Sequence, residues 1–172
     1  RSILFYKSQT QTSAFYLFSF ARKNELFSDC PELELSPQSA SEGKDKQAVE
    51  IQGQGAVSYA LEDGYFVARL DKPKQLGRRF GVLFYIFGYS QSTPFAQMPK
   101  VRVITMGKNC KVFRSKNRVI NSGVLVDFGR NSLIIKIPLK FLGQPDYVLT
   151  ALRADHGNLP IDAVAFRKIK IK

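Results

Sequence analysis

Cations are the main chemical resource of this chain. Between Lys100 and Arg118 lie seven positive side chains (Lys100, Arg102, Lys108, Lys111, Arg114, Lys116 and Arg118) and no acid. At that density the local field attracts anions, and guanidinium groups grip oxyanions through paired N–H donors. Sulfate, uronate and phosphate groups are the implied ligands, with Lys100, Arg102, Lys111 and Arg114 as candidate contacts and Arg78-Arg79 as an extension. Immediately upstream, Tyr89 opens a Ser/Thr/Pro/Gln loop that holds Phe95 and Gln97. Rings that stack and an amide that hydrogen-bonds are the usual combination at saccharide sites. Each feature has a plainer reading beside it. A charge run also serves as a solvated face, and Phe95 also serves as an anchor packed under its loop.

Catalytic constellations are weak by comparison. The lone histidine, His156, follows Asp155 directly, and adjacent residues seldom orient each other as base and carboxylate; no Gly-x-Ser-x-Gly elbow accompanies them. Cys30 and Cys110 are 80 positions apart with no CxxC or Cys/His spacing, which argues against zinc; two free thiols is the favoured reading and a disulfide stays open. The carboxylates lack the spacing of a calcium loop, and no pair is marked out for glycoside hydrolysis. Haem would need axial ligands, for which Met98, Met106 and His156 are available. No metal or cofactor is assigned, haem and calcium included, and the chain is not read as an enzyme.

Those side chains need a scaffold, and the pattern supplies strands. The chain has 172 residues, near the size of one domain, so 1–172 is read as a single domain, one that could be excised from a longer protein. Hydrophobic residues make up 44%, with 14 Phe and 7 Tyr, a composition that favours strands, and no apolar run is long enough for membrane insertion. Charge is uneven. Residues 1–71 hold 7 Lys/Arg and 10 Asp/Glu, whereas 72–172 hold 19 and 4, so the net +12 is the sum of −3 and +15.

Strands are expected at Ala14–Phe20, Ala48–Gln52, Ala56–Leu61, Tyr65–Leu70, Gly81–Gly88, Lys100–Met106, Cys110–Arg114, Val124–Phe128 and Asn131–Ile137. Glu62-Asp63-Gly64 predicts a tight hairpin, because Gly tolerates positive φ. Gly81–Gly88 is continuously apolar, as a central strand covered on both faces would be. Lys100–Met106 alternates, with Val101 and Val103 on one face and Lys100, Arg102 and Ile104 on the other. Gly107-Lys108-Asn109, Lys116-Asn117 and Asn121-Ser122-Gly123 are expected turns, and Ser36–Lys46 an aperiodic loop. Only Leu139–Gly143 suggests a single helical turn. The expected fold is an all-β antiparallel sandwich of about ten strands, jelly-roll or immunoglobulin-like in outline.

The run Ile135-Lys-Ile-Pro-Leu-Lys-Phe-Leu-Gly-Gln-Pro-Asp-Tyr-Val-Leu-Thr150, followed by Leu159-Pro-Ile-Asp162 and a last strand, resembles the closing part of the DOMON-like superfamily, which includes family-nine carbohydrate-binding modules. The likeness covers about a quarter of the chain. It implies a two-sheet sandwich acting as a binding module, usually for sugars and in some members for haem, with an exported or cell-surface setting. Sugar-binding members commonly clamp their ligand between Trp side chains. This chain has no Trp, and Phe27-Ser-Asp-Cys-Pro31 is only a distant counterpart of their entry motif. The expected function is a non-catalytic carbohydrate-binding or accessory module, with an anionic polysaccharide as partner. The alternative is a structural or protein-interaction domain without a small ligand, followed by haem carriage and nucleic-acid binding; Tyr85, Phe87, Tyr89, Phe95 and Phe113 are the rings that single strands would need.

Overall fold

The computed structural model describes residues 32–34, 47–51, 55–72, 76–77, 80–154 and 167–171. Twelve strands lie in them: β1 Glu32–Glu34, β2 Gln47–Ile51, β3 Gly55–Glu62, β4 Tyr65–Asp71, β5 Gly81–Tyr89, β6 Lys100–Met106, β7 Asn109–Arg114, β8 Asn117–Val119, β9 Leu125–Phe128, β10 Ser132–Pro138, β11 Tyr147–Ala154 and β12 Arg167–Lys170. The expected Ala14–Phe20 strand, the Ser36–Lys46 loop, Cys30, Arg78-Arg79, His156 and the Leu159–Asp162 loop fall outside the described residues.

The strands form two sheets. The larger runs β1-β12-β11-β5-β6-β7-β8 and the smaller β2-β3-β4-β10-β9. Every pairing is antiparallel except β1 with β12. The architecture is therefore the all-β sandwich expected from the strand pattern, and no described helix is long and apolar enough to cross a membrane.

Alternation explains how the two sheets close on each other. Tyr59, Leu61, Phe66, Leu70, Leu133, Ile135 and Ile137 of the smaller sheet pack against Val82, Phe84, Ile86, Val101, Val103 and Val148 of the larger one in one buried cluster. Residues of one parity face inward on every strand, so the pleat alone delivers this core. At about 25 cal/mol per Å² of apolar surface removed from water, each of these side chains contributes roughly 1.5–3 kcal/mol to stability.

β5 stands fourth of seven in its sheet and every residue of it is buried. Its even-numbered side chains enter the core between the sheets. Leu83, Tyr85, Phe87 and Tyr89 face the other way, into a second apolar cluster with Met98, Leu149 and Ala151, which Phe95, Ile104 and Tyr147 border. The β3–β4 hairpin turns through Asp63 and Gly64, both at positive φ (48° and 78°), the two-residue geometry that matches strand twist. Pro138 ends β10, and in Leu139–Gly143 the N–H groups of Phe141 and Leu142 donate to the Pro138 carbonyl oxygen, a single hydrogen-bonded turn that Gly143 stops at a φ of 76°. Among the described residues the one 3-10 turn lies at Phe95–Gln97.

Candidate functional site

The site is built on the outer face of the larger sheet, where β5, β6, β7 and β8 set the spacing. Register fixes which side chains meet: Tyr85 lies opposite Arg102, Arg102 opposite Phe113, and Phe113 opposite Arg118. One row thus crosses four strands as Tyr85, Arg102, Phe113, Arg118. The next row places Leu83 beside Ile104 and Ile104 beside Lys111. Lys111 and Arg118 are exposed, while Arg102 and Phe113 are half-buried. The Arg102 guanidinium lies over the Phe113 ring at 4.5 Å from its centroid, a cation–π contact that flattens the charge against the sheet.

Two of the expected contacts belong to this row system, Arg102 and Lys111. Arg114 does not. It has the parity of Val112, which is in the core, and its guanidinium lies 5.8 Å from the Phe141 ring at the rim of the sandwich. The cause is the loop before it. Gly107 and Lys108 alone connect β6 to β7, with Met106 opposite Asn109 and positive φ at Gly107. The expected three-residue turn would have set Arg114 opposite Arg102. A slip of one residue flips every side chain on the strand, and Phe113 takes that place. The following turn is likewise Ser115-Lys116 rather than Lys116-Asn117, with Ser115 at a φ of 55° and Arg114 opposite Asn117.

Lys100 supports the loop ahead of β6 more than it faces solvent. Its Nζ lies 3.3 Å from the Phe95 carbonyl oxygen and 3.4 Å from that of Met98, and sits over the Phe95 and Phe87 rings at 5.0 and 5.4 Å. Burial holds its pKa below the ordinary lysine value. Phe95 packs at 5.5 Å from Phe87, so it anchors the loop. Tyr89 is only 7% exposed and its ring packs against Tyr147, whereas Gln97 is exposed on the 3-10 turn. With Tyr85 and Phe87 also buried, these rings are packing groups and not open stacking platforms. Phe113 is the aromatic surface that accompanies the exposed cations.

The topology adds cations that the linear run did not suggest. β11 and β12 belong to the same sheet, and Arg153, Lys168 and Lys170 share the outward parity of Leu149 and Ala151. Lys168 lies over the Tyr147 ring at 4.4 Å. Alternation of Lys168 and Lys170 with Ile169 and Ile171 was a readable signal for a half-exposed strand, but membership of the same sheet was not. Burial raises the Tyr85 phenol above its ordinary pKa and outweighs the nearby Arg102 and Arg153 guanidinium groups, which lower it.

Of the candidate haem ligands, the two methionines do not converge, and His156 lies outside the described residues. Met98 is buried in the outer cluster before β6 and Met106 is exposed at its far end, so about eight strand residues, roughly 26 Å, separate them. Among the described residues no three His, Cys, Asp or Glu side chains gather where an ion would sit. Cys110 is a free, half-buried thiol whose pKa burial raises. Comparisons with family models, curated proteins and solved structures return no match.

Proposed function

We propose that the chain is a non-catalytic carbohydrate-binding module that takes an anionic polysaccharide on the outer face of β6, β7 and β8. The observation that carries this reading is the cross-strand row Arg102, Phe113, Arg118, with Lys111 beside it. No Asp or Glu occurs from Lys72 to Val126, so nothing in that stretch neutralises the row. A polymer with regularly spaced sulfates or carboxylates meets Arg102 and Arg118 two strand spacings apart, about 9.6 Å, with Lys111 on the strand between them, and the half-buried Phe113 ring lies in the same row under the Arg102 guanidinium. The resemblance of β10, its closing turns and β11 to DOMON-like modules supports the same class of role, with cations here in place of the Trp clamp.

A panel of sulfated, uronate and neutral polysaccharides, with single-stranded DNA as competitor, tests the reading. Wild-type protein retains the acidic polysaccharides, releases them to excess acidic glycan more readily than to DNA, and ignores neutral ones. Charge reversal at Lys111 and Arg118 weakens retention at least tenfold. Preferential release by DNA would assign the face to nucleic acid, and retention of none of the glycans by folded protein would end the proposal.

One observation favours the second reading, a protein-interaction domain without a small ligand. Ile120 is 89% exposed and Leu125 is 55% exposed, both on or beside the connection from one sheet edge to the other.

A further inference from the structure

Both sheets end on the same side of the sandwich. β8 closes the order of the larger and β9 that of the smaller, and only residues 120–124 join them. Among the described strands each of the two has a neighbour on one flank alone, so its other flank offers backbone N–H and C=O groups for pairing. The side chains between these edges are incompletely covered. Val119 has the inward parity of Val112 and is half-buried, and Val124 and Val126 border the core while also half-buried. Ile120, 89% exposed, and Leu125, 55% exposed, flank the connection and are the most exposed large apolar side chains described. Charge on the larger sheet's edge has one sign. Arg118 stands on the outer face of β8 opposite Phe113, and Lys116, in the turn before it, is exposed. Asp127, the nearest acid in sequence, lies on the outer face of the other sheet, opposite Ile134.

We propose that β8 takes up an extended segment of a partner protein as an added strand, one in which acidic and apolar side chains alternate. Alternation gives such a segment two faces. Its inward side chains lie beside Val119 and face the wall that Val124 and Val126 make on the other sheet, so apolar residues suit them. Its outward side chains come next in the row that ends at Arg118, where an acid makes a favourable cross-strand pair and a lysine is repelled. Main-chain hydrogen bonds to the free flank supply affinity, and the alternate side chains supply specificity. Ile120 and Leu125 add apolar area that the incoming chain removes from water. A second copy fits the edge poorly. Pairing β8 with β8 would bring Arg118 and Lys116 of both copies together, each copy carrying a net charge of +12. The assignment is independent of the polysaccharide reading, with which it shares Arg118.

Fluorescence anisotropy of the whole chain with a labelled peptide of alternating valine and glutamate tests the proposal. Two further peptides accompany it, one with lysine for glutamate and one with proline for the central valine. The glutamate peptide is expected to bind and the other two to bind about tenfold more weakly or worse, since lysine opposes Arg118 and proline removes an N–H that strand addition uses. Arg118→Glu is expected to weaken the glutamate peptide about tenfold, as is Ile120→Ser combined with Leu125→Ser. Met106→Ser, at an exposed methionine that ends β6, leaves it unchanged. Should Arg118→Glu fail to fold, the double serine variant decides, because both its positions are exposed. That variant also keeps its retention of acidic polysaccharides, which separates this edge from the glycan face. Failure of the glutamate peptide to bind overturns the proposal. Equal binding of the proline peptide, with no effect of the serine changes, would reduce the contact to charge attraction and overturn it too. A dimer in sedimentation velocity that the serine changes dissociate would give the edge to a second copy instead.

Discussion

Gly88 shows how a single backbone atom sets the limits of the scaffold. A Cβ there would stand 2.2 Å from the Leu142 carbonyl oxygen, and the Gly88 N–H donates to the Pro99 carbonyl oxygen at 3.0 Å. The central strand is thus pinned between the closing turns and the loop that carries Phe95. Gly88→Ala is expected to destabilise by about 2–3 kcal/mol, because neither backbone neighbour can give way cheaply; urea unfolding checks it. Lys100 makes a pH prediction at the same scale. Its pKa is lower folded than unfolded, so in the window between the two values the unfolded chain binds more protons. Stability contributed by this residue therefore rises with pH through that window, and charged Lys100 is a cost at neutral pH. Lys100→Met removes the alkaline rise, seen as a smaller gain in urea midpoint from pH 7 to pH 10 than wild type shows; an equal gain would mean that Lys100 is not its source.

At the scale of elements, the strands were legible wherever one residue type dominated one parity. Gly81–Gly88 read as a doubly covered central strand because it had no polar parity at all, and Asp63-Gly64 read as a hairpin because few other dipeptides accept two positive φ angles. Gly64→Ala is expected to cost about 1 kcal/mol at its φ of 78°, with nothing within 4 Å of the added Cβ to share the blame, as thermal unfolding will show. The basic hairpin was legible as charge and misread as geometry. Gly107-Lys108 and Ser115-Lys116 were each one residue away from the turn expected, and that shift exchanged Arg114 for Phe113 beside Arg102. Turn length is decided by the twist of the paired strands, which a local window does not contain. The contribution of Arg153 was out of reach for a related reason. Only the pairing of β11 with β5, across some sixty residues of chain, places it near Tyr85.

At the scale of the whole molecule, the two ion pairs described both lie on the smaller sheet. On the outside of the smaller sheet cations are matched, Arg69 with Asp71 and Lys136 with Glu62. These pairs are a third or more exposed, so each contributes well under about 1 kcal/mol; their effect is to quench the field on that side. The outer face of the larger sheet has no such matching for Arg102, Lys111, Arg118 and Arg153 among the described ion pairs. Association with a sulfated polysaccharide should accordingly weaken roughly tenfold to a hundredfold between about 50 and 200 mM salt, read from binding isotherms at several salt concentrations. A flat dependence would show that the unmatched face is not where the polymer sits.

The sheet order has a consequence for synthesis. β12 is inserted between β11 and β1, so the segment made first among the described strands has its partner made last. During translation β11 and β5 can pair before β12, the described partner of β1, has been made. Arrival of β12, rather than growth of the core, is the event that joins β1 to the other described strands of the larger sheet.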